Sequence, residues 1–327
     1  MALEEKMDTP ILYLVVPCYN EEEIITWAME ELKNKYTELK KQDKIAADSK
    51  VVFVNDGSKD KTREIIEEAC AQEESFTLIN FTKNFGHQNA ILAGMLYSRE
   101  YADAVITIDA DLQQDINAIE EFVQKFNDGA DIVYGVRNDR KTDGFFKKKT
   151  AGMFYGLMKL FGCNVIANSA DYRLMSKRSL ETLSQFTESN LFLRGLIPTM
   201  GYPSDIVYFD VQERKAGVSK YNLKKMLTLA LDGITSLTIS PIRFVTTLGT
   251  ISCICALIMI IHSLVVWALG GTVPGYATTT ISIWFVGGMT MLSQGIIGEY
   301  VGKTYFEVKK RPRYIVDNIV NGEKAEA

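Results

Sequence analysis

Residues 244–298 run fifty-five positions without an Asp, Glu, Lys or Arg. An ordinary helix on a globular surface keeps a charged or polar face towards water, so a run of this length restricts the fold sharply. The segment GGTVPGY, residues 270–276, divides it into two stretches. Each exceeds the ~20 residues that cross about 30 Å of hydrocarbon. The expectation is two spanning helices, at 244–270 and 277–302; the competing reading is a buried helical hairpin of a soluble protein. Lys224, Lys225 and Arg243 precede the first stretch, and Lys303, Lys309, Lys310, Arg311 and Arg313 follow the second. The positive-inside rule then places both termini, and the domain before the spans, in the cytoplasm of a multi-pass cell-membrane protein. Residues 1–10 are polar and acidic, so no cleavable signal peptide is expected.

The chain has 327 residues, enough for a core that needs no staples. Its five cysteines are irregularly spaced, which favours reduced thiols over a disulfide framework or a zinc site. The formal net charge of −5 argues against general nucleic-acid binding.

Ahead of the membrane segment, short apolar runs alternate with amphipathic stretches: residues 11–17, 51–54, 76–81, 104–108 and 131–136. Nearly all-apolar strands separated by helices predict a mostly parallel α/β sheet covered on both faces. Such sheets bind ligands beyond the carboxyl ends of their strands, so the polar residues after each run are the candidates. After the first run, Asn20 and Glu23 have the spacing of a capping box, while Tyr19 is suited to stacking on a base. After the second, Asp60 is a helix cap and Asp56 is free to accept hydrogen bonds from a base or ribose. After the fourth, IDADLQQD sets Asp109 and Asp111 two residues apart, on one face if the backbone is extended. A hard divalent ion, Mg²⁺ or Mn²⁺, suits that pair, with a substrate diphosphate supplying further oxygens. The competing reading is a solvated turn. Asp115 is assigned to a helix cap, and His87 and His262 to structural positions.

VVPCYNEEE, VNDGSKDKT, NFGHQNAILAGM, DADLQQD, DYRLMSKR and ERKAGVSKY, in this order and followed by two apolar spans, resemble the polyisoprenyl-phosphate glycosyltransferases of glycosyltransferase family 2. Within them the chain is most similar to the bactoprenol (undecaprenyl-phosphate) glucosyltransferase branch, and it is similar also to dolichyl-phosphate mannose synthases. The resemblance implies a GT-A catalytic domain over 1–221, an interfacial amphipathic region at 222–243, the two spans, and a cytoplasmic tail at 303–327. It implies that Pro17, Tyr19, Glu21, Val54, Asp56, Asp109, Ala110 and Arg137 bind the nucleotide sugar, and that Asp109, Asp111 and Gln113 surround the metal. Arg214 and Lys220 match a basic pair for the diphosphate or lipid phosphate. Arg194 either joins them or closes a helix pair.

The implied reaction is single-sugar transfer with inversion from a nucleotide sugar to polyprenyl phosphate, with UDP-glucose first among donors and UDP-N-acetylglucosamine, UDP-galactose and GDP-mannose behind it. The family assigns the base to Asp171, but a phosphate monoester with a second pKa near ~6 is already mostly ionised at neutral pH, and orienting the sugar or pairing with Arg173 are open alternatives. The basic loop at 135–150 and the amphipathic stretch at 222–240 suit an anionic membrane surface. A homo-oligomer packed through Gly287, Gly288, Gly295 and Gly298 is compatible with the spans. The reading from a different class is a silent sugar-nucleotide sensor or a scaffold for a lipid flippase.

Overall fold

Five apolar runs become five strands: β1 (Leu12–Cys18), β2 (Lys50–Asn55), β3 (Phe76–Phe81), β4 (Ala104–Thr107) and β5 (Ile132–Arg137). The structure is a computed structural model that describes residues 9–138, 166, 168–188, 192–211, 238, 240–270 and 275–322. Three further strands complete one eight-stranded sheet: β6 (Ser169–Ser176), β7 (Ser204–Phe209) and β8 (Val316–Val320), in the order β7-β5-β6-β4-β1-β2-β3-β8. The pairs β1–β2, β1–β4, β2–β3 and β5–β7 are parallel, whereas β6 runs antiparallel between β4 and β5, and β8 antiparallel to β3. The sheet is therefore mixed, with the parallel part at its centre.

Helices cover both faces. α1 (Ile25–Lys41), α2 (Thr62–Gln72) and α4 (Ile119–Asn127) close one side over Leu14, Phe53 and Leu78. α3 (His87–Ser98), α5 (Lys177–Ser184) and α6 (Leu193–Thr199) close the other over Val15, Val52, Val54 and Val105. Both faces of the central strands are buried, which is why they read as unbroken apolar runs rather than alternating ones.

Two long helices follow, α7 (Ser240–Ala268, 29 residues) and α8 (Tyr276–Val308, 33 residues). They overlap residues 244–270 and 277–302, the first starting four residues earlier and the second continuing six residues past 302. Among the described residues no helix is long and apolar enough to cross a membrane. Beyond α8 the chain does not trail off as a tail. It returns to the sheet as β8, where Arg63 pairs with Asp317 at 3.0 Å.

Candidate functional site

The loops after β1 and β2 hold each other. Ser58 Oγ accepts from Asn20 N (3.0 Å), Asn20 Oδ1 accepts from Lys59 N (2.8 Å), Glu22 Oε2 accepts from Lys61 N (3.0 Å) and Thr62 Oγ1 accepts from Glu21 N (2.8 Å). The expected capping box is thus absent. Asn20, at φ 55°, spends its side chain across to the second loop, and α1 starts at Ile25 without a side-chain cap. The N-cap of α2 is Lys61, which has no side-chain cap; Asp60, one residue ahead of it, accepts from Thr62 N at 3.1 Å. Gly57 is required between these loops: its φ is +64°, and a Cβ there would lie 2.3 Å from the Lys83 carbonyl carbon.

Asp56 is buried, and its two oxygens accept from Phe85 N (2.6 Å) and Gly86 N (2.9 Å). Burial raises its pKa, against the lowering pull of the two N–H groups. It shapes the turn that delivers His87, the first residue of α3. Tyr19 is exposed at the end of β1, whereas Val54 and Ala110 are core residues, so contact with a ligand at those two would be through the main chain.

Asp109 and Asp111 do not continue β4. They lie in a β-turn closed by Leu112 N to Asp109 O (3.1 Å), and Leu112 takes φ +45°. Buried Gln114 steadies the turn, its amide nitrogen donating to Asp109 Oδ2 and its oxygen accepting from Asp109 N at 3.3 Å. Asp111 Oδ1 accepts from Gln113 N at 3.2 Å. Asp109, Asp111 and the Gln113 amide offer hard oxygen donors that fit Mg²⁺ or Mn²⁺. Among the described residues no three His, Cys, Asp or Glu side chains are grouped to hold a metal. Asp115 caps as expected, accepting from Asn117 N at 3.0 Å.

Behind the turn stands a charged cluster. Arg194 donates from Nε and Nη2 to the two oxygens of Asp171 (3.0 and 2.8 Å), and Arg173 Nη2 donates to Asp171 Oδ1 (2.7 Å). Arg173 is fully buried, and among the described residues its Nε and Nη1 have no hydrogen-bond partner. Burial would raise the Asp171 pKa, but Arg194, His87 and Arg173 outweigh it and hold the carboxyl well below the usual carboxylate range. His87 Nε2 lies 3.4 Å from Asp109 and 3.7 Å from Asp171. Partial burial lowers its pKa, yet the two carboxylates prevail and leave it raised; with about 48% of its side chain exposed, solvent screens part of that attraction.

Motif reading gave Gln114 no role and His87 only a structural one, whereas the pairing of Arg173 with Asp171, one of the alternatives drawn from the sequence, is present. His87 had a usable signal, since it opens the helix after β3 at the sheet's carboxyl end, where the other candidates gather. Arg137 ends β5, exposed, and no described contact joins it to the cluster. Arg214, Lys220, the basic loop beyond residue 138 and the stretch 222–237 lie outside the described residues. A cavity of about 660 Å³ lined by Lys44, Asn117, Glu120 and Tyr208 is not lined by His87, Asp109 or Asp171, so the converging side chains, not that cavity, mark the site.

Glycosyl transferase family 2 matches residues 13–184. The chain is 47% identical over 312 residues to an uncharacterized glycosyltransferase of Bacillus subtilis, covering 95% of this chain and 93% of the relative. It is 40% identical over 308 residues to the SfII prophage-derived bactoprenol glucosyl transferase of Shigella flexneri, covering 93% and 96%. Among solved structures, a mannosyltransferase from Pyrobaculum calidifontis in complex with GDP-Man and Mn²⁺ aligns over 92% of this chain and 87% of its own, at 17% identity and TM-score 0.44.

Proposed function

The chain belongs to glycosyl transferase family 2 and is a glycosyltransferase with a GT-A-like mixed α/β sheet, and we propose that it moves one hexose from a nucleotide sugar, UDP-glucose first, to a polyprenyl phosphate at the cytoplasmic face of the cell membrane. The observation that carries this reading is the meeting of the Asp109 turn, His87 and the Asp171–Arg194 pair at the carboxyl ends of the central strands. The acceptor and sugar are taken from the relatives named bactoprenol glucosyl transferase. The product would be a lipid-linked sugar donor for glycosylation of the cell envelope.

In this reading α7 and α8 cross the membrane. Support comes from the charge-free run and from the outward display of Phe244, Ile251, Ile254, Ile258 and Ile261 on α7 and of Ile283, Phe285, Met291 and Ile297 on α8.

A lipid phosphate oxygen attacks the anomeric carbon from the face opposite the nucleoside diphosphate, forming the new C–O bond as the bond to the diphosphate breaks, with inversion. A divalent ion held by Asp109, Asp111 and Gln113 would supply charge stabilisation to the departing diphosphate. In this reading the nucleoside meets Tyr19 and Glu21, on the loop that Ser58 and Thr62 brace. The acceptor arrives ionised, so no strong base is needed. Asp171, kept anionic by two arginines, is a weak proton acceptor and serves to aim Arg194 and His87 at the phosphates.

Purified full-length protein incubated with undecaprenyl phosphate and a panel of radiolabelled nucleotide sugars tests this directly. Transfer of glucose to the lipid from UDP-glucose, abolished by chelator, is expected; no labelled lipid from any donor would sink the reading.

A further inference from the structure

Three asparagines form one row across the sheet, and its far end belongs to the strand that follows α8. Asn55 of β2 pairs in register with Asn80 of β3, and Asn80 with Asn318 of β8. Their side chains are linked: Asn55 Nδ2 donates to Asn80 Oδ1 (2.9 Å), and Asn80 Nδ2 donates to Asn318 Oδ1 (2.8 Å) and to Glu67 Oε1 (3.0 Å). Asn55 and Asn80 are buried, so the row is sheltered from competing water. Asn55 Oδ1 then accepts from Ser58 N at 3.1 Å, and Ser58 Oγ from Asn20 N at 3.0 Å. An unbroken path of hydrogen bonds thus runs from the post-helix strand to both loops of the nucleotide side.

A second line reaches the neighbouring turn. Tyr314 stacks on Phe81 with ring centroids 5.1 Å apart, Phe81 meets the edge of Phe85 at 5.7 Å, and Phe85 N is the group that Asp56 holds. Thr82 N donates to Ile315 O at 3.1 Å, tying the same turn to the returning chain. Asn321 Nδ2 locks the end of β8 onto Phe76 O at 2.7 Å.

We propose that Asn318 is a positioning residue for the nucleotide donor, and that β8 is a strap through which the segment after α8 sets the geometry of the 55–62 loop. The role in donor binding rests on the proposed glycosyltransfer reading; the coupling itself does not. The amide row suits this task because Asn55 and Asn80 each donate and accept within it and Asn318 Oδ1 accepts at its end, so a displacement of β8 leaves the buried Asn80 amide unmatched rather than being absorbed. β3 already has β2 as a parallel partner, and β8 covers the edge of β3 that would otherwise be open.

Full-length Asn318→Ala, Asn318→Asp and Ile319→Ala proteins distinguish this from simple strand stability. Ile319 pairs with Ile79 and packs on the opposite face of β8, away from the amide row. Asn318→Ala is expected to speed amide hydrogen exchange across residues 57–62 about five- to tenfold, the loss of the row's hydrogen bond from Asn80 at tenfold per ~1.4 kcal/mol. KM for the nucleotide sugar should rise by a similar factor while kcat stays within about twofold. Asn318→Asp keeps the oxygen that Asn80 and Arg63 address, and should restore both readouts. Ile319→Ala should lower the melting temperature at least as much while leaving both at wild-type values. Equal loop exchange in the two alanine variants, or unchanged exchange in Asn318→Ala, overturns the inference. Because exchange is measured without nucleotide, it decides the coupling even if no variant and no wild-type protein transfers a sugar, a result that would overturn the proposed reaction alone.

Discussion

Arg194 and Asp171 are joined at two points, Nε to Oδ1 at 3.0 Å and Nη2 to Oδ2 at 2.8 Å, and Arg173 reaches the same carboxylate from beneath at 2.7 Å. Asp171 is nearly buried, so its removal strands Arg173 in the core without a counter-charge. Asp171→Ala is expected to cost about 3–5 kcal/mol of stability, the range for breaking a buried pair. Chemical denaturation at neutral pH measures it. A loss below about 1 kcal/mol would show that the cluster is not structural.

The same carboxylate sets a pH dependence with a definite sign. Its folded pKa lies below the ordinary value near ~3.9, so it binds its proton less readily folded than unfolded. The stability it contributes is fully present above that ordinary value and is lost as pH falls through the folded pKa. Wild-type stability should therefore drop more steeply than that of Asp171→Asn from about pH 4.5 downward, and parallel acid titrations would refute this.

His87 faces Asp109 at 3.4 Å and Asp171 at 3.7 Å, a position that makes it part of the charge balance around a diphosphate. His87→Ala is expected to lower kcat/KM about tenfold with little change in melting temperature, a modest figure because the ring is half exposed. Wild-type turnover in this variant would return His87 to a purely structural role.

How much was legible in the sequence depended on how each residue's polarity was spent. β1 to β5 stood out because strands buried on both faces are mostly apolar, and the few polar residues in them, such as Thr77 and Asn80, do not break the run. β6 was hidden by its Asp171 and Arg173, whose charges suggest a loop until their pairing shows them neutralising each other inside the sheet. β8 was hidden for a different reason, since Asp317 and Asn318 look like tail residues and their partners Arg63 and Asn80 lie 254 and 238 positions earlier. Asn20 misled because a capping-box spacing is local, while the hydrogen bonds it makes are to Lys59 and Ser58. The acidic pair at Asp109 and Asp111 was legible as a pair, but its backbone is a turn steadied by Gln114 rather than a strand extension.

Gly57 connects backbone to loop geometry. With φ at +64° and the Lys83 carbonyl carbon only 2.3 Å from where a Cβ would sit, no side chain fits without moving the turn that holds His87. Gly57→Ala is expected to destabilise by roughly 1–3 kcal/mol and to raise the KM for the nucleotide sugar. Full stability with unchanged kinetics would mean that the two loops adjust freely.

Asp111 tests the divalent-ion reading most sharply, because its carboxylate lies in the turn after β4, where Oδ1 accepts from Gln113 N at 3.2 Å. Asp111→Asn preserves size and the ability to accept that hydrogen bond while removing one charge from the donor set. Transfer should fall about a hundredfold or more, with the melting temperature within a few degrees of wild type, since charge stabilisation of a leaving group commonly supplies effects of that size. Titrating Mg²⁺ or Mn²⁺ against activity separates the causes. A variant limited by ion affinity regains part of its rate at high metal concentration, while one limited elsewhere does not respond. Undiminished turnover of wild-type protein in chelator would remove the ion from the reaction and leave the Asp109–Asp111 turn as a purely structural feature.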